Sequence, residues 1–459
     1  MTEDQSRRAF LKRTSALGLA GVATPFVTSL GAIGEAAAAT ATDYKALVCI
    51  FLYGGNDYAN TLPPYDAASY AQYLAARSNI AHTRESLAAT VLTPSVALAG
   101  GRQYAMAPTM GPLAQLFAAG KTAVVLNVGT LVQPTTKVQY TSNSVKLPPK
   151  LFSHNDQQSY FQASNPEGAT SGWGGRIGDL FQSGNGSATL TCINASGNAV
   201  YLTGKTAVQY SISTNGPVAL LNNASLLYGS TTAASTLRSL MTGTSSHLIA
   251  NEHAIVSKRA LDTYAQVNTA LGGAPAANFP LFPTGNSLAD QLKVVARMIS
   301  VSQELGAKRQ VFFVSLGGFD MHDALVANHP TQIGLVANAI KAFYDTTVAF
   351  GISDKVTSFT ASDFGRTLQS NDDGSDHGWG SMHFVTGGAV NGQKFYGTPP
   401  AIGNNTPDDV GQGRLLPGLS VDQYAATLAS WFGVSAGNMA TVLPNIGNYN
   451  PSTWNLGFV

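Results

Sequence analysis

The sequence contains few charged residues and only two cysteines. Charged residues make up 11% of its 459 residues, and its formal net charge at pH 7 is +1, whereas about 25% of residues are charged in typical soluble domains. Because it has no basic stripe and no interleaved aromatic patch, we expect no nucleic-acid partner. Cys49 and Cys192 lie in separate apolar runs, without the spacing of a metal or redox motif. Two buried free thiols and a disulfide of an exported protein both remain open.

Long apolar runs are also lacking after the N-terminal region. No later segment approaches 18 uninterrupted apolar residues, so we expect no permanent membrane span. No G-x-S-x-G follows a predicted strand, which argues against a serine esterase of the α/β-hydrolase type. The 44% apolar content suits a globular protein, and residues 40–459 are long enough for one large domain with a sizeable core.

The N-terminal region has the pattern of an export signal. Residues 6–12 read S-R-R-A-F-L-K, which is the twin-arginine signature, and a mildly apolar run follows over residues 14–30. Small residues at 36–39 offer a cleavage site. This pattern predicts a signal peptide over residues 1–39, the twin-arginine translocase as a partner during export, and a periplasmic or secreted mature protein. The alternative is a membrane anchor, which a run this short and weakly apolar disfavours.

The rest of the chain alternates between strand and helix patterns. Short apolar runs predict strands at 45–53, 123–128, 310–316, 355–360 and 383–386. Amphipathic segments predict helices at 66–77, 110–119, 231–241, 246–270, 287–305, 331–350 and 421–433. Such alternation predicts an α/β fold with a doubly wound, mainly parallel sheet and helices on both faces. The middle of the chain breaks the alternation, so we expect an inserted α/β cap over about 185–286.

Ionisable side chains concentrate directly after the predicted strands. The segments are G-G-N-D (54–57), G-G-F-D-M-H-D (317–323), S-D-F-G-R-T (362–367) and G-S-D-H-G-W-G (374–380). Ligands of open α/β sheets bind outside the carboxyl ends of the strands, and a divalent ion is the simplest way to hold several carboxylates together. Aspartate and neutral histidine suit zinc or, with more oxygen ligands, manganese or calcium. The candidate metal ligands are Asp57, Asp320, His322, Asp363, Asp376 and His377.

Each candidate also has a purely structural interpretation. Asp57 could cap a helix, Asp320 and His322 could belong to a turn, and Asp363 could pair with Arg366. Ser153 and His154 stand at a predicted helix start, where the serine is either an N-cap or a nucleophile at a positive helix end. His154 would then bind an anion or transfer a proton, and Arg366 would steady the transferring group by a bidentate contact.

In this order, the motifs resemble those of the bacterial family called domain of unknown function 1501. They are the twin-arginine signal, the strand followed by GGNDxxNTxPxY (54–65), Ser-His at a helix start, Gly-Gly-Phe-Asp-x-His, S-D-F-G-R-T and the Asp-His-Gly loop. The resemblance covers essentially all of the mature chain and implies an alkaline-phosphatase-like or sulfatase-like fold. It also implies a divalent-metal site, with Asp57 and Asp363 at matching aspartate positions and Ser153 in the place of the nucleophile. The chain departs from that superfamily at Phe364, which replaces a histidine, and in the short spacing between Asp320 and His322.

Two functions of different classes follow. The first is an exported metal-dependent hydrolase of phosphate or sulfate esters, acting on a small molecule or a polysaccharide, with Ser153 as nucleophile and zinc, manganese or calcium as cofactor. The second is a non-catalytic envelope protein for binding or assembly that keeps the fold with a degenerate site and no metal. Phe364 and the low charge favour the second function.

Overall fold

A ten-stranded sheet dominates the residues that the computed structural model describes, 44–220 and 226–459. In chain order its strands and the separate β8–β9 pair are β1 (Lys45–Leu52), β2 (Thr122–Gly129), β3 (Cys192–Asn194), β4 (Gln209–Ser213), β5 (Gly216–Pro217), β6 (Arg309–Leu316), β7 (Val356–Ser362), β8 (Arg366–Ser370), β9 (Ser375–His377), β10 (Ser381–Gly387), β11 (Phe395–Tyr396) and β12 (Leu419–Ser420). The order across the sheet is β11-β2-β10-β7-β1-β6-β3-β4-β5, and β12 pairs with β2. Most neighbours are parallel, while β10 runs antiparallel to β2 and β7, and β5 to β4.

Strand β1 forms the centre of the sheet because its apolar run can be buried on both faces. It pairs in parallel with β6 and β7, in register from Ala46 to Leu52 on both sides. Side chains alternate across a strand. Val48 and Ile50 therefore join one core cluster, and Cys49 and Phe51 join the cluster on the opposite face.

Helices cover both faces of this sheet. They are α1 (Tyr58–Thr61), α2 (Ala67–Arg77), α3 (Gly111–Ala118), α4 (Lys137–Thr141), α5 (His154–Ala163), α6 (Trp173–Phe181), α7 (Thr231–Thr242), α8 (Leu248–Gly272), α9 (Ser287–Ser300), α10 (Leu325–Ala349), α11 (Val421–Phe432) and α12 (Met439–Val442). Helices α3, α9 and α10 contribute to the first core cluster, whereas α5, α6 and α11 contribute to the second. The predicted doubly wound, mainly parallel α/β fold is thereby confirmed.

Two parts of the chain differ from the sequence-based expectation. Within residues 185–286, β3 and β4 do not form a separate cap: β3 pairs with β6, so both strands extend the main sheet. Helix α10 begins at Leu325, six residues before its predicted start, and contains Pro330. Pro330 is the sixth residue of this helix, so it lacks the N–H that would otherwise donate to the carbonyl of Val326.

The parallel pairing brings three loops to one edge. The carboxyl ends of β1, β6 and β7 lie side by side, so the segments that follow them meet. Gly54 shows how close they come: with φ at +113°, a Cβ on this residue would lie 2.3 Å from the Asp320 nitrogen. Only glycine fits such a turn.

The remaining expectations concern the termini, membrane and cysteines. The predicted signal peptide, residues 1–39, lies outside the described residues. Among the described helices, none is both long and apolar enough to cross a bilayer. Cys49 and Cys192 are both buried free thiols.

Candidate metal centre

Four side chains from three segments converge at the sheet edge. His154 is the first residue of α5, Asp320 and His322 follow β6, and His377 ends β9. The Nε2 atom of His377 lies 3.0 Å from Nε2 of His154 and 2.9 Å from Nε2 of His322. The Asp320 carboxylate lies 3.3 Å from His154 Nε2, 3.0 Å from His322 Nε2 and 3.3 Å from His377 Nε2.

Each of the three imidazole rings has an oxygen acceptor for its other nitrogen. His154 Nδ1 lies 2.6 Å from Asp363 Oδ2, and His377 Nδ1 lies 2.7 Å from the carbonyl oxygen of Phe152. His322 Nδ1 lies 3.2 Å from Asp376 Oδ1. A neutral imidazole carries a single N–H, and for His154 and His377 these acceptors favour a proton on Nδ1, whereas His322 has a carboxylate oxygen near both ring nitrogens.

In the neutral form with Nδ1 protonated, the Nε2 lone pairs of His154 and His377 face each other and the Asp320 carboxylate. A cation between the four atoms turns this mutual repulsion into attraction. The donor set, three imidazole nitrogens and one carboxylate oxygen, is the chemistry that zinc prefers.

The spacing of these atoms also fits a metal. Zinc lies about 2.0–2.1 Å from histidine nitrogens, so the edges of a tetrahedral ligand set measure roughly 3.3 Å. The separations of 3.0–3.3 Å among His154 Nε2, His377 Nε2 and the Asp320 carboxylate are close to that value. Ligand atoms of His154, Asp320 and His377 all lie within 4.8 Å of one another.

Electrostatics around the cluster keep Asp320 ionised. Burial acts to raise its pKa, but the hydrogen bond and charge of Arg366, with help from His154 and His322, lower the pKa below its ordinary value. The hydrogen bond that His154 donates to the Asp363 carboxylate raises the pKa of His154. Burial lowers the pKa of His377, so this ring favours the neutral form that binds metals.

Asp363 lies in the layer around the cluster. It is buried, and its Oδ2 atom accepts hydrogen bonds from His154 Nδ1 at 2.6 Å, Gln158 Nε2 at 2.8 Å and the Gly54 nitrogen at 3.1 Å. Its Oδ1 atom is buried without a hydrogen-bond partner. The structure thus gives Asp363 a position typical of a carboxylate that orients a metal-binding histidine, where the sequence predicted a direct ligand.

Asp376 has a similar position, while Asp57 does not join the group. Asp376 Oδ1 accepts from Asn371 at 2.7 Å and faces His322 Nδ1. Asp57 contacts Arg77 through both oxygens, at 2.7 and 2.8 Å, and also caps α1. The expected ligand role of Asp57 needs correction, because the protein already supplies its counter-ion.

Arg366 and Ser153 differ from their predicted contacts. Arg366 is fully buried and donates to Asp320 Oδ1 at 2.7 Å and to the Gly54 carbonyl at 3.1 Å, so its carboxylate partner is Asp320 and not Asp363. Ser153 precedes α5 but makes no side-chain capping bond, and its Oγ donates to Asp156 Oδ2 at 3.0 Å.

Sequence reasoning assigned His154 to anion binding or proton transfer and overlooked Arg77 and Gln158.

The ring of Phe364 packs 4.8 Å from the rings of both His154 and His377. It therefore supports two of the rings in the cluster. Only the position of His154 at a helix start beside the long loop hinted at its role, and nothing in the local sequence marked Arg77.

Comparison with known proteins gives a family but little more. A family model described as "Protein of unknown function (DUF1501)" matches residues 44–437. No curated relative matches the chain. Among solved structures, the chain is similar to the soluble domain of lipooligosaccharide phosphoethanolamine transferase A from Neisseria meningitidis, with 9% identity, coverage of 91% of this chain and 93% of that one, and a TM-score of 0.30. It is also similar to a protein of a Bacteroides thetaiotaomicron locus for the metabolism of glycosaminoglycans, with 9% identity, coverage of 85% and 73%, and a TM-score of 0.31.

Proposed function

The chain belongs to the DUF1501 family, and from the geometry of its site we propose that it is a metal-dependent hydrolase of phosphate or sulfate esters. The observation that carries this proposal is the convergence of three imidazole Nε2 atoms and one carboxylate, with contacts of 2.9–3.3 Å. His154, Asp320, His322 and His377 would hold one divalent ion, with zinc favoured by the donor set. Such an ion acts as a Lewis acid on an ester oxygen.

The surroundings of the cluster suit an anionic ester. The N-terminus of the ten-residue helix α5 begins at His154, beside the cluster. A helix N-terminus favours a negative group. Asp320 and His322 keep 45% and 40% of their side-chain surface exposed, so one side of the cluster is open to a substrate. A cavity of about 360 Å³ lies beside Asp320 and is lined by polar side chains that include Asn328 and Gln332.

Ser153 is the candidate nucleophile within this proposal. Its Cα lies about 3.8 Å from that of His154, as in any adjacent pair, and its hydroxyl proton points to Asp156. Asp156 is buried, and Lys150 lies 3.5 Å from it. Asp156 would hold the Ser153 hydroxyl and accept its proton as the oxygen attacks.

The test combines metal content and turnover of the purified full-length protein. We expect stoichiometric zinc, removal of the zinc by a chelator, and hydrolysis of an aryl phosphate or aryl sulfate that is lost with the metal and in Ser153→Ala. The control Ser187→Ala changes a serine outside the site and should leave both quantities unchanged. A protein that retains no zinc, manganese or calcium and hydrolyses neither ester would refute the proposal.

A second function, a non-catalytic envelope protein, is favoured by one specific observation. A fourth side chain, His322, lies 2.9 Å from His377 Nε2 beside the other three, and four protein ligands are typical of structural zinc sites, whereas catalytic sites keep a position open. In that case His322→Ala would lower the melting temperature of the zinc-loaded protein. In the hydrolase, His322→Ala would mainly change turnover, because three ligands would still hold the ion.

Export through the twin-arginine route is also part of the proposal, with a periplasmic or secreted destination. It is supported by the S-R-R-A-F-L-K motif at residues 6–12. Replacement of Arg7 and Arg8 by lysine should retain the precursor in the cytoplasm of a bacterium that has this translocase. Equal export of the native and replaced chains would contradict it.

A further inference from the structure

A buried ion pair lies behind the metal cluster. The guanidinium of Arg77 on α2 donates to both oxygens of Asp57, at 2.7 and 2.8 Å. The side chains are 0% and 2% exposed. A pair buried this deeply is costly to desolvate and is weak support for stability in itself. The other hydrogen bonds of the pair show which part of the chain it holds in place.

The ion pair is bonded to both strands of the β8–β9 hairpin. Arg77 donates to the carbonyl oxygens of Thr367 at 3.0 Å and Leu368 at 2.9 Å, both on β8. The Ser375 hydroxyl, on β9, donates to Asp57 Oδ2 at 2.7 Å. The pair is also bonded to α1, because Arg77 donates to Asn60 Oδ1 at 3.0 Å and the Asn60 nitrogen donates to Asp57 Oδ1 at 2.8 Å.

This hairpin delivers much of the metal cluster. Arg366 begins β8 and donates to the Ser375 carbonyl and to Asp320 Oδ1. Asp376 and His377 directly follow Ser375 and contact His322 through a side-chain oxygen and a ring nitrogen, respectively. Ser375 is therefore two residues from the proposed ligand His377 and one residue from Asp376, the carboxylate that orients His322.

The hairpin needs such support from outside. It is a sheet of only two strands, paired at Arg366–His377 and Ser370–Ser375 with a register shift between them. Two-stranded hairpins are marginally stable on their own, whereas the groups of a working site must be held to about 0.5 Å.

We propose that Asp57, Arg77 and Ser375 are positioning residues that fix the β8–β9 hairpin so that His377 reaches the metal and Asp376 orients His322. This inference rests on the proposed metal site. It also gives the aspartate of the G-G-N-D motif an indirect function. Asp57 would hold the hairpin that carries His377 and would not itself bind the ion.

The test is the metal affinity of full-length Ser375→Ala, measured by competition with a chromogenic chelator for zinc and for cobalt. Loss of a partner that orients a ligand typically weakens binding by about 10–100-fold, and we expect a loss in this range. The absorption spectrum of bound cobalt should also change, because the His377 ring shifts. The matched control is Ser381→Ala, which removes a buried hydroxyl without a hydrogen-bond partner.

A second variant keeps the test decisive if Ser375→Ala does not fold. Arg77→Lys keeps a positive charge beside Asp57, but an ammonium group cannot reproduce the planar fork that also reaches Thr367 and Leu368. Its zinc affinity should fall in the same direction. Affinities and cobalt spectra equal to those of the Ser381→Ala control in both variants would overturn the inference. A native protein that binds neither zinc nor cobalt would instead overturn the proposed function.

Discussion

Two groups of ionisable residues lie at the same edge of the sheet, and they balance charge in opposite ways. In the buried group, Asp57 meets the guanidinium of Arg77, and the pair is almost completely shielded from solvent. In the open group, three imidazole nitrogens and Asp320 face one another, with side-chain exposures between 25% and 45%.

The difference explains why only one group is expected to bind a metal. Burial raises the pKa of Asp57, but Arg77 outweighs that effect and holds the pKa below its ordinary value. The chain therefore supplies the cation of the buried group. In the open group, Arg366 compensates Asp320, and the Nε2 atoms of the three rings face one another, so the proposed metal ion would bind between them.

The largest expected effect is loss of the metal in His377→Ala. This ring contacts both other rings of the cluster, so the fall in zinc affinity should exceed the about 100-fold loss typical of outer partners. Chelator competition measures it. His253→Ala, a change on the exposed surface of α8, should bind zinc like the native protein. If the zinc affinity of His377→Ala equalled that of the native protein, the open group would not be the metal site.

In the buried group, Arg77→Met should act on stability. The change leaves the Asp57 carboxylate buried without its counter-ion, which costs about 3–5 kcal/mol of the free energy of unfolding. Urea denaturation of the metal-free protein measures this quantity. In the control Lys258→Met, an exposed pair with Asp262 is lost, and the expected cost is about 0.5 kcal/mol or less. Equal costs would show that the Asp57–Arg77 pair is not special.

A third buried carboxylate sharpens the comparison because it lacks a direct cation. Burial raises the pKa of Asp422 to about 7, since Arg176 acts on it only from a distance. A pKa raised in the folded state stabilises the protein below the unfolded value, near 4, and that contribution is lost as the pH rises through about 7.

Asp422→Asn should therefore gain stability relative to the native protein as the pH rises from 4 to 8, by up to a few kcal/mol. Urea denaturation at several pH values checks this. A stability difference that does not vary with pH would show that Asp422 is ionised with its ordinary pKa.

The smallest effect concerns the outer layer of the open group. Asp363→Asn weakens the acceptor of His154 Nδ1 and should lower zinc affinity by about 10–100-fold. Asp422→Asn, which changes another buried aspartate away from the cluster, is the control at pH 6. If Asp363→Asn instead abolished binding as completely as His377→Ala, Asp363 would be a direct ligand.

The sequence predicted the sheet well because the signal was local. The apolar run at 45–53 sufficed to predict β1, and the strand ends correctly pointed to the edge where Asp320, His322 and His377 meet. It did not predict which carboxylate faces the histidine rings directly and which one pairs with an arginine. Asp57 and Asp320 follow similar Gly-Gly motifs, and only the tertiary fold brings Arg77 from α2 to one of them. Nor could local sequence show that the His154 ring turns towards His377 across 223 residues.

The most direct test of the metal site is anomalous diffraction from crystals of the full-length protein grown with zinc, recorded on both sides of the zinc absorption edge. We predict one peak that lies about 2.0–2.2 Å from Nε2 of His154, His322 and His377 and from an Asp320 oxygen. A map without a peak between these four residues, or with its peak at Asp57, would contradict the account.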